Sequence, residues 1–89
     1  MKLTFSARAR RDLADLASYY SAFSKDTALK VRDDIDATIA VALDFPQGFP
    51  VRAHDGTHKA VTSEYKHVVL YTATRDALKV VANFRNQNR

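Results

Sequence analysis

The sequence predicts an α+β domain: an N-terminal strand, an antiparallel two-helix hairpin, then a three-stranded antiparallel meander with the helices on one face. Three observations predict it. Lys2-Leu3-Thr4-Phe5 alternates polar and apolar residues, the period of a half-buried strand. Apolar residues then recur at steps of three and four through two consecutive segments that end at Pro46. Beyond Pro46, short runs rich in β-branched and aromatic residues are separated by turn residues, which suits strands on a pleated surface.

Each element has its own signal. Ser6 can cap the first helix by accepting a bond from a free N–H of its first turn. Ala9, Leu13, Leu16, Ala17 and Tyr20 then form one stripe, with Arg8, Arg11, Asp12, Asp15 and Ser18 outside it; that is an amphipathic helix of about four turns. A break comes at Ser21-Ala22-Phe23-Ser24. Ser24 or Asp26 can cap the second helix, and Asp26 also suits the positive end of its dipole. Ala28, Val31, Ile35, Ile39, Ala42 and Leu43 carry the stripe onward. Pro46 ends it, because proline disfavours helical geometry in the residue before it. So short a connection should fold the helices back on each other.

After the turn Gln47-Gly48-Phe49-Pro50, residues 51–57 read as loop. Residues 59–62 read as a short strand, 63–64 as a turn, and 66–74 as a second strand; Arg75-Asp76 turns the chain into a third over 77–85. Simple alternation in this last strand puts Leu78, Val80, Ala82 and Phe84 on one side, with Lys79, Val81, Asn83 and Arg85 on the other.

With 89 residues the chain reads as one domain, 1–89. At this size folding buries about 60–65% of the surface exposed in the unfolded chain. There is no cysteine, so disulfides and zinc–thiolate sites are excluded and an apolar core must hold the fold. No segment approaches the roughly 18 apolar residues of a membrane span, and the N-terminus turns polar too early for a signal peptide; a cytoplasmic protein with no membrane partner is expected. Charge is uneven. Residues 1–45 carry seven Lys/Arg and seven Asp/Glu, whereas 46–89 carry seven Lys/Arg against Asp55, Glu64 and Asp76, the source of the net +4. A basic half fits a polyanion or an acidic protein as partner.

Ala9-Arg10-Arg11-Asp12-Leu13, with Tyr19-Tyr20 after it, resembles the first helix of ParE-like toxins, which carry an Ala-x-x-Asp-Leu pattern and a Tyr-Tyr pair. The helix exit Leu43-Asp44-Phe45-Pro46-Gln47-Gly48, the pair Leu70-Tyr71 and the run Val80-Val81 to Phe84-Arg85 fall where that family has similar features. The chain is thereby identified, over its whole length, as a member of the RelE/ParE superfamily, with the ParE-like branch favoured. The resemblance implies the toxin of a type II toxin–antitoxin pair, neutralised by a ParD-like antitoxin and inhibiting DNA gyrase by binding, without a cofactor. A RelE-like endonuclease acting on messenger RNA in the ribosome is the alternative, and an inactive member that only binds its antitoxin is a third reading.

Metal-free RNA cleavage needs groups that activate a 2′-hydroxyl, stabilise phosphorane charge and protonate the leaving oxygen. Lys59, Lys66, His67, Lys79 and Arg85 are the candidates expected on the open face of the sheet. The nuclease reading would use Lys59, Lys66 and Arg85. Against it, Lys59 leads into Ala60-Val61-Thr62 rather than a second lysine, and the last strand is succeeded by Asn86-Gln87-Asn88-Arg89 with no Tyr or His. The inhibitor reading puts Lys66, His67, Lys79, Arg85 and Arg89 at the target surface, and the sequence assigns no antitoxin-binding residues. His67 could titrate near neutral pH. Tyr19, Tyr20, Tyr65 and Tyr71 offer aromatic surface, of which Tyr20 shares the core stripe and Tyr65 could stack on a base. His54, Asp55 and His58, two histidines and one carboxylate in a loop, make a poor metal site without a further anchor, so no metal is expected. No Ser-His-Asp order, glycine-rich phosphate loop or paired carboxylate appears.

Overall fold

The computed structural model describes residues 1–85. The elements are β1 (Lys2–Phe5), α1 (Ala7–Ser21), α2 (Lys25–Asp44), β2 (His58–Val61), β3 (His67–Ala73) and β4 (Ala77–Arg85). Ser6 caps α1, its Oγ accepting from the Ala9 N–H at 2.9 Å. Ser24 caps α2 in the same way through Thr27, and Asp26 stands in the first turn, where negative charge is favoured.

The strands lie in the order β1-β4-β3-β2. β2, β3 and β4 form the expected antiparallel meander. β1 pairs parallel with β4, Lys2 opposite Ala77 through Phe5 opposite Val80, so the sheet is mixed. Both helices pack on one face. Ala9 and Leu16 of α1 and Val31, Ile35, Ile39 and Ala42 of α2 share a core with Ala60, Val69, Tyr71, Leu78 and Val80. The Tyr71 hydroxyl, buried among them, donates to the Pro46 carbonyl at 2.7 Å, and burial pushes its pKa up.

Strict alternation fails in β4. Leu70 pairs with Ala82 but Tyr71 pairs with Val80, which leaves Val81 without an opposite number. This is a β-bulge, an extra residue that kinks a strand and re-aims the side chains beyond it. Leu78 and Val80 face the helices, whereas Ala82 joins Val68 and Leu70 on the open face. The single side expected for Leu78, Val80, Ala82 and Phe84 is therefore split in two. The bulge lies where β1 gives way to α1: Ser6 donates its N–H to the Val80 carbonyl and its Oγ–H to the Val81 carbonyl, each at 2.9 Å. Beyond that point β4 has lost its neighbour, and Asp12 of α1 accepts the freed Asn83 N–H at 3.0 Å.

Candidate functional site

The basic residues expected together on the open face are not together. Lys59 and Lys79 are there: Lys59 pairs with Leu70, and Lys79 with Thr72. Arg85 is not, because the bulge at Val81 turns it to the helix side, opposite His67. His67 faces the same way and is 1% exposed, so it cannot meet a target. Lys66 belongs to the turn between β2 and β3, with a φ of 58°, the left-handed region that non-glycine residues seldom occupy. Arg89 lies outside the described residues.

Arg85 instead joins an aromatic cluster at one end of the helical hairpin. Its guanidinium carbon sits 4.1 Å from the Tyr19 ring centroid, a cation–π contact worth about 0.5–1 kcal/mol at an exposed site. Tyr19 makes edge contacts with Tyr20 at 5.0 Å and with Phe23 at 5.3 Å. Tyr20 in turn touches Tyr65 at 6.2 Å and His67 at 5.4 Å. Phe23 is 69% exposed, and Tyr19 and Tyr65 are also exposed. Among the described residues Arg85 has no carboxylate partner. The outcome is a surface of flat rings carrying one oriented guanidinium, with Lys66 beside Tyr65.

Beneath it lies a polar layer. The Tyr20 hydroxyl and His67 Nε2 are hydrogen-bonded at 2.9 Å. Burial holds the His67 pKa below its ordinary value; the Asp34 charge works the other way, and Arg85 adds to the depression. Burial raises the Tyr20 pKa, against the pull of Arg85. Asp34 is the anchor of this layer. It is a buried α2 residue whose carboxylate accepts the N–H groups of Glu64 and Tyr65 at 3.1 and 2.8 Å. Burial opposes its charge, but the hydrogen bonds from Thr62, Tyr65 and Glu64, with the nearby His67, outweigh that and lower its pKa. Asp34 thus fixes the turn that carries Tyr65 and Lys66.

The loop histidines are engaged separately. His58 is buried, stacked on Tyr71 at 4.7 Å, with its Nδ1 2.9 Å from the Phe49 carbonyl. Asp55 pairs with Arg52 and accepts from the Thr57 N–H and hydroxyl; these bonds, Arg52 first, hold its carboxyl well below the usual range. Among the described residues no group of three or more His, Asp or Glu side chains is placed to hold a metal ion, and no helix is long and apolar enough to cross a membrane.

The arrangement suits recognition better than acid–base chemistry. Lys59 faces away from Arg85, and His67, next to that arginine, is buried with its pKa lowered by that burial. Sequence reasoning missed Phe23 and Asp34 as members of this region. Tyr19 and Phe23 are four apart on α1 and its exit, the spacing of same-face neighbours, so the exposed ring pair had a signal. Asp34 had none: its partners are backbone groups some thirty positions away.

Two comparisons place the chain among known proteins. The family model described as "ParE toxin of type II toxin-antitoxin system, parDE" matches residues 3–89. A solved structure of the chromosomal ParDE TA system from P. aeruginosa superposes with a TM-score of 0.83 at 17% identity, covering 98% of this chain and 97% of that one; at such identity the likeness concerns the fold. No curated protein matches the sequence significantly. The helical hairpin on a mixed four-stranded sheet and the near-complete family match lead to one conclusion: the chain belongs to the ParE toxin family of type II toxin–antitoxin systems.

Proposed function

We propose that this toxin acts in the cytoplasm by binding DNA gyrase, that a ParD-like antitoxin neutralises it, and that the target contact centres on Arg85. The observation that carries this reading is the guanidinium laid over Tyr19 with no carboxylate partner among the described residues. Exposed aromatic rings and an arginine held ready are the residue types that dominate protein interfaces. Ordering the long side chain before contact lowers the entropy lost on binding. Lys66 extends the same surface, whereas His67 supports it from below. The nuclease set of Lys59, Lys66 and Arg85 is scattered over different surfaces, which counts against RNA cleavage.

Purified protein added to a gyrase supercoiling assay is expected to stop supercoiling or trap cleaved DNA. Arg85→Ala should weaken that effect about ten-fold or more while leaving the thermal transition in place. Normal supercoiling with the wild type, together with growth arrest and cut ribosomal messenger RNA, would sink the gyrase reading in favour of the nuclease. Absence of any growth arrest would leave a protein that only binds its antitoxin.

A further inference from the structure

Three contacts run in step along α1 and the end of β4. At the bulge, Ser6 bonds to the Val80 and Val81 carbonyls. Further out, the Asp12 carboxylate accepts the Asn83 N–H at 3.0 Å. Tyr19, about two helical turns beyond Asp12 and on the same face, lies 4.1 Å from the Arg85 guanidinium carbon. Asn83 and Arg85 are two apart in the strand and point to the same side of the sheet. The middle contact is the one hydrogen bond between α1 and β4 among the described residues. Asn83 is 1% exposed, so water cannot stand in for Asp12 as the acceptor of its N–H. Nor can a strand, because β1 pairs with β4 only from Ala77 to Val80. Asp12 also lies 3.6 Å from Arg8, whose side chain is 68% exposed, and exposed ion pairs contribute little. The carboxylate is thus committed to the strand.

We propose that Asp12 is a positioning residue for the target contact: by tying α1 to the outer edge of β4 at Asn83, it sets the spacing at which the Arg85 guanidinium rests over Tyr19. The Arg85 side chain has no ion pair among the described residues to fix it. Its contact with Tyr19 is weak at an exposed site and confined to a few ångströms from the ring, so it cannot hold helix and strand together by itself. A hydrogen bond from a buried backbone N–H to a carboxylate is stronger and more directional. Asp12 supplies that bond between the bulge, where Ser6 pins the start of the helix, and the tip of the strand, where the arginine is presented. The inference rests on the reading of Arg85 as the centre of the target contact, and Asp12 itself touches no target.

The test has two arms. In the first, nuclear magnetic resonance follows the Arg85 side-chain protons, which the face of the Tyr19 ring shifts upfield; Tyr19→Leu defines the position without the ring. Asp12→Ala should move these protons most of the way to that position. Asp12→Asn, which keeps an oxygen able to accept the Asn83 N–H, should hold them near wild type, as should Arg8→Ala. Should Asp12→Ala fail to fold, Asp12→Ser shortens the side chain while keeping it polar and is read in the same way. An unchanged Arg85 signal in the folded Asp12 variant overturns the proposal. The second arm is gyrase inhibition in a double-mutant cycle. Asp12→Ala should weaken inhibition several-fold in the wild-type background, Asp12→Asn should restore it, and Asp12→Ala should add no further loss to Arg85→Ala. An equal loss in both backgrounds means that Asp12 acts independently of Arg85, and overturns the proposal. The resonance arm involves no gyrase, so a wild type that leaves gyrase untouched overturns the target reading while the Arg85 signal still decides what Asp12 holds in place.

Discussion

His67 pairs its Nε2 with the Tyr20 hydroxyl and lies under Tyr65 and Arg85, with Asp34 as its nearby negative charge. Its residue type points to proton transfer near pH 7, but its position removes it from solvent. Because its folded pKa is below the ordinary value, the unfolded chain takes up a proton first as pH falls. The stability this site contributes is therefore full above the ordinary histidine pKa and is lost as pH drops through the folded one. Urea midpoints measured at pH 7.5 and pH 5 should fall for the wild type and fall less for His67→Gln; equal drops would show that another group is responsible. Buried Asn83 lies on the same side of the sheet, and nothing in the sequence distinguishes it from a surface asparagine.

Between elements, Asp34 joins α2 to the turn between β2 and β3 through two backbone N–H groups. Removing the carboxylate strands both donors, each at about 1–3 kcal/mol when buried. Asp34→Ala should thus lower stability by about 2–6 kcal/mol and weaken the gyrase contact proposed above as Tyr65 and Lys66 lose their fixed turn, in contrast to Arg85→Ala, which should spare stability. Chemical denaturation of the two variants separates these outcomes. The elements themselves were legible. Ser6, Ser24 and Pro46 mark helix ends through local geometry, and the stripes from Ala9 to Tyr20 and from Ala28 to Leu43 give a period that needs no tertiary knowledge. Lys59 and Lys79 lie on the open face as expected; what could not be read was the face of the residues beyond Val81, Arg85 among them. Period-two alternation carries that information only in an unbroken strand, and Val81 breaks it; the residues that hold the bulge, Ser6 above all, are remote in sequence.

At the scale of the whole molecule, the parallel pairing of β1 with β4 joins the first five residues to the last strand. Phe5 packs on the main core, and β1 covers an edge of β4 that would otherwise present unpaired backbone groups. Contacts so distant in sequence form late and slowly in folding. Removing residues 1–5 should cost several kcal/mol out of the roughly 5–15 kcal/mol available to a domain of this kind, so that the cooperative thermal transition is lost and aggregation sets in. A sharp melt near the wild-type temperature would mean that the helical hairpin and the meander suffice alone.

The bulge at Val81 also bears on how such proteins diverge. Loss of that one codon would leave Ala82, Asn83, Phe84 and Arg85 on their present faces, because Val81 is the extra residue and its removal restores simple alternation. One residue inserted after the bulge and taken into the ladder would instead turn Phe84 toward the helices and Arg85 out among the lysines. The side chains that each face of the sheet presents can thus be exchanged by a single-residue insertion, a change of length that leaves every existing amino acid as it was.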